Sequence, residues 1–598
     1  MAVFLAVMLN TAAAAAEWRF ANVFADSMVL QRNAPLSFWG VTTAAVAGSY
    51  ELRLDDGSVA APVTLPGDGT WHASLPARGA NATPATVALQ QQRAAGGATA
   101  TATAAAAPLA SLVDVLVGDV LLVSGQSNVG ISVAYSNQDN ATAEAENLAE
   151  ADRVGAAVRL MSVPQGGAPA PSSELLLSGA TPCTLPSAQC AYLPWARANA
   201  SNVPGFSALG WYLARQLLAA QAEATIVPVG IVQSDVPGTP IQDWTSAAAL
   251  PHCARNGSSS GHVSALYNAM IYPLLRAQLA FAGVVWYQGE SNVGPAAPMD
   301  GAAYYRCALP AMVRDWRALL PRVGKEEKKE KQKRGPAAAT TATAAAAPPP
   351  PPPPPPFFVV ELSAYCNEHD ESTFRTFCDA KTSALAAPDL HLPALRVAQA
   401  AALGEPGVYL SSAMDLGSLH PLPYESSHPT RKAELARRVA LAVRSDVLAE
   451  TGLVHAGPTP VRAWQQQQQH QQQQQQPPPQ VAVAFALQLG AGGLALNRSA
   501  ACPAVVLDVY CRRAQLLGFE VLLARDAASG NWSAPSSVEL GAGAPGGTTS
   551  HEVLLGVPSA TARVRYAYSD WPVVSLRNGV GGLPARVFDI AVEQSTSI

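Results

Sequence analysis

The chain has little charge and no dominant sign of charge. Lys, Arg, Asp and Glu together make up 14% of its 598 residues, and the formal net charge is -5. So small an imbalance gives no field that would recruit nucleic acid or an anionic membrane surface, so neither is expected as a partner. The one dense basic run, from Lys325 to Arg334, is interleaved with glutamates and indicates a solvated insertion.

Long hydrophobic runs are also missing. No segment has 18 or more consecutive strongly apolar residues, which argues against a membrane-spanning helix. The N-terminus has a shorter apolar stretch, Ala2 to Leu9, and the alanines after it satisfy a small-x-small cleavage rule. We therefore predict a signal peptide at residues 1–16 and a secreted or lysosome-like location, although no Lys or Arg precedes the apolar stretch.

The eight cysteines lack the spacing of a metal site. None forms a Cys-x-x-Cys pair and no His accompanies them at zinc-finger spacing, so no structural metal is expected. An even count with three pairs close in sequence instead suits disulfides in an oxidising compartment, with the connectivity left open. These pairs are Cys183 with Cys190, Cys366 with Cys378, and Cys502 with Cys511.

The length predicts several domains, since single hydrophobic cores stop growing beyond about 250 to 300 residues. Short β-type runs between turn residues indicate an N-terminal antiparallel β-domain at 17–110, with a low-complexity insertion at 90–107. Strands alternating with helices predict a mostly parallel α/β sheet at 111–450, interrupted by a disordered insertion at 324–356. A poly-Gln and proline segment opens a C-terminal β-rich region at 451–598.

Inside the α/β region, local signals mark individual elements. Ser207 is expected to cap a helix that runs to about Ala222. A second helix is predicted from Ser264 to Ala280, with a kink at Pro273. Strands are predicted at 226–232, 283–287 and 357–364, and a final helix at 429–448.

The stretch from Val115 to Gly130 is where we expect the chemistry. Its apolar, β-branched run up to Val123 suits a strand buried on both faces of a parallel sheet. The run ends in small polar residues, as in a turn at the edge where open α/β sheets bind ligands. Ser127 on this turn is the candidate nucleophile. Since a Ser-Gly-Gln-Ser tetrapeptide is usually an ordinary loop, the prediction depends on its context.

Three later segments supply that context. They are a strand running into a glycine turn at 230–244, a strand followed by a polar turn at 284–292, and His428 at the start of a helix. A serine hydroxyl needs a base to take its proton, and acyl transfer needs donors aimed at the developing oxyanion. An imidazole, turn N–H groups and an amide side chain provide these functions.

The motifs GQSN, GTPI-x-x-W, WYQGESN and HPxxK, in this order, resemble the four blocks of the SGNH (GDSL-type) hydrolases, in particular the sialate O-acetylesterase family. SMVLQR at 27–32, FSALGWYLAR at 206–215 and YAYSDWP at 566–572 extend the resemblance over most of the chain. It implies an SGNH-hydrolase-like α/β fold, a mostly parallel sheet flanked by helices, with N-terminal and C-terminal β-rich regions. The implied activity is O-acetylester hydrolysis on sialic acid or a related glycan, without a cofactor.

Family roles carry over to matching positions. The resemblance makes Ser127 the nucleophile and His428 the general base and later general acid. It gives two arms of the oxyanion hole to the backbone N–H groups of Ser127 and Gly238, with the Gln288 amide as a candidate third arm. The side chains assigned to the pocket wall are Asn128, Glu290 and Asn292.

The acidic partner of the histidine is left open. Glu425 stands three residues before His428, where many SGNH hydrolases have Asp, and Asp415 is another candidate. A Ser-His dyad oriented by a backbone carbonyl is the third possibility. His420 competes as base, but His428 is preferred because of its Pro-x-x-Lys sequel.

The glycine turn also departs from the family pattern. It usually reads Trp-Gly-Gly-Thr, whereas this chain has Val236-Pro237-Gly238-Thr239. The retained glycine preserves one backbone donor. The lost Trp changes a pocket wall, so the sequence does not determine which acetylated sugar is the substrate. An acetylxylan-type esterase and a catalytically weakened glycan-binding protein are therefore the alternatives.

Overall fold

The computed structural model describes most of the chain from residue 17 onward. The described residues are 17–43, 48–55, 60–92, 107–137, 140–177, 192–222, 226–250, 253, 263–294, 301–324, 352–365, 369–370, 375–376, 391–417, 427–466, 479–488, 491–498, 517–541, 551–569 and 572–594. The predicted signal peptide lies outside them. Among the described helices, none has the length and apolar character needed to cross a membrane.

The N-terminal region is built from short antiparallel strands, as its turn-rich sequence predicts. The strand β3 pairs antiparallel with β1 and β6, and β4 pairs antiparallel with β5 and β7. The strands are β1 (Trp18–Phe20), β2 (Val29–Gln31), β3 (Leu36–Thr42), β4 (Tyr50–Leu54), β5 (Ala61–Pro62), β6 (Thr70–Leu75) and β7 (Asn81–Gln91).

One long strand, β8 (Ala110–Gly125), belongs to both the N-terminal region and the central sheet. Its first half pairs antiparallel with β7 and parallel with β2. Its second half runs parallel between two strands of the central sheet, and every residue from Leu116 to Gly125 is buried. The predicted N-terminal β-domain and the predicted α/β region therefore share one continuous strand. The boundary predicted at residue 110 is the first residue of that strand.

The central sheet has the strand order β10-β9-β11-β8-β12-β13-β16. All neighbours in it are parallel except β10, which is antiparallel to β9. Its inner strands are buried along their whole length, which explains their unbroken apolar sequences. The strands added to β8 are β9 (Val158–Ser162), β10 (Leu193–Arg197), β11 (Val229–Asp235), β12 (Gly283–Tyr287), β13 (Phe357–Glu361) and β16 (Val408–Ser412); a separate hairpin pairs β14 (His369–Asp370) with β15 (Arg375–Thr376).

Helices connect and cover these strands. The Ser207 hydroxyl accepts from the Gly210 N–H at 3.1 Å and caps α4, as predicted. The helices are α1 (Ser127–Gly130), α2 (Val133–Ser136), α3 (Ala141–Val154), α4 (Ala208–Ala219), α5 (Tyr272–Arg276), α6 (Gly301–Leu319), α7 (His391–Gln399) and α8 (Lys432–Asp446).

The predicted helix from Ser264 to Ala280 is found at residues 265–276, and its regular pitch is interrupted just before Pro273. A π-helical turn at Tyr267–Ile271 comes directly before α5, and Pro273 lies in the first turn of α5. A proline has no N–H to donate to the preceding turn. A change of helical pitch therefore lies where the sequence predicted a kink.

The ends of the predicted 324–356 insertion are packed. The Gly324 N–H donates to the Asn33 carbonyl at 2.9 Å, and Pro355 and Pro356 are buried beside β13. The Arg317 guanidinium donates to the Pro355 carbonyl at 2.9 Å. Residues 325–351, like most of the 90–107 insertion and the poly-Gln run, lie outside the described residues.

The C-terminal region is β-rich and has a hydrophobic core of its own. Eight of the described strands form one sheet in the order β21-β20-β24-β26-β17-β18-β23-β22. Arg396 of α7 joins this region to the α/β part by donating to the Ser569 carbonyl at 2.7 Å. The strands are β17 (Thr459–Gln465), β18 (Gln480–Ala486), β19 (Leu494–Leu496), β20 (Phe519–Leu523), β21 (Trp532–Ser533), β22 (Ser537–Leu540), β23 (Glu552–Gly556), β24 (Thr561–Tyr566), β25 (Leu576–Asn578) and β26 (Phe588–Glu593).

One disulfide joins Cys253 to Cys307, two cysteines 54 residues apart that proximity in sequence did not pair. It ties the segment after β11 to α6. Each of the three pairs predicted from sequence proximity includes residues outside the described ranges.

The disulfide should stabilise the fold by restricting the unfolded chain. For a loop of 54 residues, the loop-closure estimate is about 4 kcal/mol. We expect the Cys253→Ser/Cys307→Ser double variant to lose up to that free energy of unfolding in a denaturant titration. Either single variant should lose about as much as the double variant, because one missing sulfur already removes the bond. An unchanged midpoint would contradict the expected contribution.

Candidate active site

Ser127 lies at the carboxyl end of the central strand β8, as the first residue of α1. The turn before it is tight: Gly125 has a φ of +149°, and a Cβ there would overlap the Tyr287 carbonyl of β12. The Gln126 N–H donates to that same carbonyl at 3.2 Å. Only glycine fits at position 125, so the residue two before Ser127 allows the two parallel strands to end side by side.

His428 meets Ser127 at this edge. The His428 Nε2 and Ser127 Oγ atoms are 2.7 Å apart, although 301 positions separate them in sequence. With the ring proton on Nδ1, Nε2 accepts the hydroxyl proton, which is the geometry a nucleophile and its general base require. His428 lies just before α8, which packs against α4.

The candidates for the acidic partner do not all fall within the described chain. Glu425 and the competing base His420 lie outside it. Asp415 is described and is used otherwise: its carboxylate accepts from Arg438 at 2.6 and 3.0 Å and from Arg577 at 2.8 Å. Burial opposes ionisation of Asp415, but the two guanidinium groups outweigh it and lower its pKa to about 2.

Two backbone N–H groups from the motif turns have no acceptor among the described residues. Gly238 follows β11 with a φ of +70°, a left-handed conformation that favours glycine. The N–H groups of Gly238 and Ser127 donate to no group among the described residues.

The predicted third arm of the oxyanion hole is used elsewhere. The Gln288 Nε2 group donates to the Thr239 carbonyl at 3.0 Å and to Asn292 Oδ1 at 2.9 Å. Both of its hydrogens are thereby taken, since an amide nitrogen has two. Gln288 therefore bonds the glycine turn among the described residues, and its role as a third arm of the oxyanion hole stays a prediction.

Asn292 connects two of the four sequence blocks. Its Oδ1 accepts from the Ile241 N–H at 2.9 Å, and its Nδ2 donates to Gln242 Oε1 at 3.1 Å. The side chain is fully buried. Asn292, assigned to the pocket wall from the sequence, therefore ties the QGESN turn to the segment after the glycine turn.

Asn128 and Glu290 form a buried network with a lysine. Asn128 Nδ2 donates to Glu290 Oε1 at 2.6 Å and to the Ser427 carbonyl at 2.9 Å, and Asn128 Oδ1 accepts from Lys432 Nζ at 2.6 Å. Burial lowers the pKa of Lys432 to about 7, against the effect of the Glu290 charge, and burial raises the pKa of Glu290. The amide of Asn128, predicted to face substrate, is thus fully bonded within the protein.

The sequence assigned no role to Lys432 or Asp235. The HPxxK pattern contained Lys432, but a lysine at a helix start is usually exposed. Asp235 ends β11, accepts from Gln233 Nε2 at 2.8 Å, and lies so close to α1 that a Cβ at Gly130 would overlap its carboxylate. Burial raises the pKa of Asp235 to about 7. The sequence signal that could have identified Asp235 was its position immediately before the altered glycine turn.

The described part of the chain contains no cluster of three His, Cys, Asp or Glu side chains arranged as metal ligands.

Comparison with known proteins identifies the relatives of the chain. The family profile described as "Carbohydrate esterase, sialic acid-specific acetylesterase" matches residues 190–322. Human sialate O-acetylesterase is 28% identical over 467 residues, 74% of this chain and 73% of the human protein. The chain is therefore similar to the sialate O-acetylesterases, which are carboxylic ester hydrolases.

Another match covers less of the chain. Sialate O-acetylesterase of Pongo abelii is 28% identical over 368 residues, which cover 58% of this chain and 57% of that protein. The chain thus spans less than two thirds of that relative. The profile match includes Gly238, Gln288 and Asn292, whereas Ser127 and His428 lie outside it.

A solved structure shares the fold. The crystal structure of a carbohydrate acetylesterase from Xanthomonas citri matches with a TM-score of 0.63 and 24% identity, covering 96% of this chain and 99% of the other. The two proteins therefore share a mixed α/β architecture with additional β-rich regions.

The buried carboxyl of Asp235 should make stability depend on pH. Its folded pKa of about 7 lies above the unfolded value of about 3.9, so the stability it contributes is present below about pH 4 and is lost as the pH rises to about 7. Asp235→Asn keeps the Oδ1 acceptor and cannot ionise. We expect it to raise the free energy of unfolding at pH 8, by up to about 4 kcal/mol, and to change it little at pH 4.

Asp415→Asn is the matched control with the opposite sign. The folded pKa of Asp415, about 2, lies below the unfolded value, so its contribution is present above about pH 4 and is lost as the pH falls towards 2. This variant should lose stability at pH 8, where the Asp235 variant gains it. Parallel stability curves for Asp235→Asn and the unaltered protein would contradict the assignment.

Proposed function

We propose that this protein is a carbohydrate O-acetylesterase of the SGNH type, which removes acetyl esters from sialic acid or a related glycan. The observation that carries the proposal is the 2.7 Å contact between Ser127 Oγ and His428 Nε2 at the carboxyl edge of a parallel sheet. The names of the relatives support the substrate class. The reaction uses protein side chains and water, with no cofactor.

In the proposed first step, Ser127 attacks the acetyl carbonyl while His428 takes its proton. Negative charge develops on the carbonyl oxygen as the tetrahedral intermediate forms. The N–H groups of Ser127 and Gly238 donate to this oxygen, and such preorganised donors typically contribute about 3 to 4 kcal/mol each to lowering the barrier. Their lack of other acceptors in the described chain supports this role.

In the proposed second step, His428 gives its proton to the departing sugar hydroxyl and leaves an acetyl ester on Ser127. A water molecule then loses a proton to His428 and attacks the acetyl group. As the bond to the Ser127 oxygen breaks and acetate leaves, His428 gives this proton to the serine oxygen, which restores both side chains. Glu425, three residues before His428 in the sequence, is the proposed acidic partner that stabilises the imidazolium. The two roles of His428 require one imidazole that reaches the Ser127 oxygen, the departing sugar oxygen and the attacking water in turn.

We propose sialic acid as the acetyl carrier because the matched profile and the curated relatives carry that description. Val236 and Pro237 replace residues of the usual glycine turn, so the side chains of the pocket wall differ while the Gly238 donor is kept. The Cys253–Cys307 disulfide supports a secreted or lysosome-like location, since disulfides persist in oxidising compartments.

The Ser127→Ala variant tests the reaction. We expect its hydrolysis of p-nitrophenyl acetate to fall at least about 1000-fold, as for removal of a catalytic serine elsewhere. Ser201→Ala, which changes an exposed serine, is the matched control and should keep the wild-type rate. Equal rates for the Ser127 variant and the unaltered protein would remove the esterase proposal and favour a glycan-binding protein.

A substrate panel tests the acetyl carrier. Acetate release should be faster, in terms of kcat/KM, from O-acetylated sialosides than from acetylated xylo-oligosaccharides at equal ester concentration. The p-nitrophenyl acetate rate serves as the internal reference, since this ester does not engage a sugar pocket. A preference for the xylo-oligosaccharides would reassign the protein to an acetylxylan-type esterase with the same chemistry.

A further inference from the structure

A lysine is buried directly behind the Ser127 and His428 pair. Lys432, the first residue of α8, is 1% exposed, and its Nζ lies 5.3 Å from the centre of the Tyr287 ring. Removal of an ammonium group from water is costly, so a lysine is retained in such a place only when its contacts compensate. Its hydrogen bond goes to Asn128 Oδ1 at 2.6 Å.

Asn128 links that ammonium group to both members of the reacting pair. It directly follows Ser127 in the chain, and its Nδ2 donates to the carbonyl of Ser427, the residue directly before His428. The second Nδ2 hydrogen goes to Glu290 Oε1. One side chain thus holds the turn of the nucleophile against the backbone of the base.

The chemistry of the partners sets the orientation of this amide. A protonated lysine only donates, whereas a carbonyl and an ionised carboxylate only accept. With Lys432 protonated and Glu290 ionised, the Asn128 amide therefore satisfies all three partners in one orientation. If it turned over, its Nδ2 would face the ammonium group of Lys432 and its Oδ1 would face the Ser427 carbonyl.

We propose that Lys432 is a positioning residue for the esterase reaction, an inference that rests on the proposed function: its ammonium group fixes the Asn128 amide, and the amide holds the Ser427–His428 backbone at Ser127. Without this donor the buried Asn128 Oδ1 loses its partner, and the amide is held by its two Nδ2 bonds alone. A misplacement of about 1 Å in a reacting pair costs on the order of 100-fold in rate.

Lys432→Met removes the donor and keeps the length of the side chain. We expect kcat for p-nitrophenyl acetate to fall roughly 10- to 100-fold while KM changes little, because the displaced group is the base and not the ester pocket. Arg437→Met on the same helix removes only an ion pair with Glu434, and it should keep the wild-type kcat. Thermal unfolding of both variants checks that they fold.

A double-mutant cycle separates positioning from general support. If Lys432 acts through Asn128, the Lys432→Met/Asn128→Ala double variant should lose no more kcat than Asn128→Ala alone. Lys432→Gln retains an N–H donor and should recover part of the kcat lost in Lys432→Met. If Lys432→Met does not fold, the kcat of Lys432→Gln tests the inference in its place.

Different results would reject this inference and the proposed function. Equal rates for Ser127→Ala and the unaltered protein reject the esterase, whereas a Lys432→Met variant with wild-type kcat rejects only the positioning role. Independent losses that multiply in the double variant also reject the positioning role.

A labelling experiment tests the positioning role without an ester substrate. It measures, by mass spectrometry, the rate at which a fluorophosphonate labels Ser127. We expect slower labelling in Lys432→Met, and equal rates would overturn the inference.

Discussion

The hydrogen bond between Ser127 Oγ and His428 Nε2 is the constraint on which the rest of the site depends. Each partner lies close to a regular element: Ser127 comes two residues after the last residue of the central strand β8, and His428 comes four residues before the first residue of α8. Strand and helix are fixed by burial against a common core. A loop alone would not hold two side chains from distant parts of the chain at 2.7 Å, because loop conformations are held by fewer contacts than elements packed in a core.

Around this pair, amide side chains fasten the turns to one another. Gln288 bonds the glycine turn, Asn292 bonds the segment after it, and Asn128 bonds the backbone before His428. Turns at the edge of a sheet leave backbone groups without ladder partners, and buried groups of this kind must be satisfied by side chains or water. Amides suit this task because each offers both a donor and an acceptor. All three amides come from the motifs by which the chain resembles its family.

The sequence predicted those parts of the fold that local patterns determine. Apolar β-branched runs marked β8, β12 and β13, and Ser207 marked the start of α4. The sequence did not predict features that depend on residues distant in the chain. These are the direction of the Gln288 amide, the arginine partners of Asp415, the Cys253–Cys307 pair and the burial of Lys432. Each depends on which atoms the folded chain brings opposite a side chain. A motif names the residue type at a position and leaves its hydrogen-bond partners undefined.

The altered glycine turn shows why chemistry and substrate choice can vary separately. The donor at this turn is a backbone N–H, which any residue except proline supplies, provided that the chain adopts a φ of +70° at Gly238. Val236 and Pro237 precede that residue and leave its conformation in place, so the proposed oxyanion donor is kept. Under the proposed function, the two replaced side chains belong to the pocket wall that a sugar would meet. Change at these positions therefore alters recognition of the glycan before it alters attack on the ester.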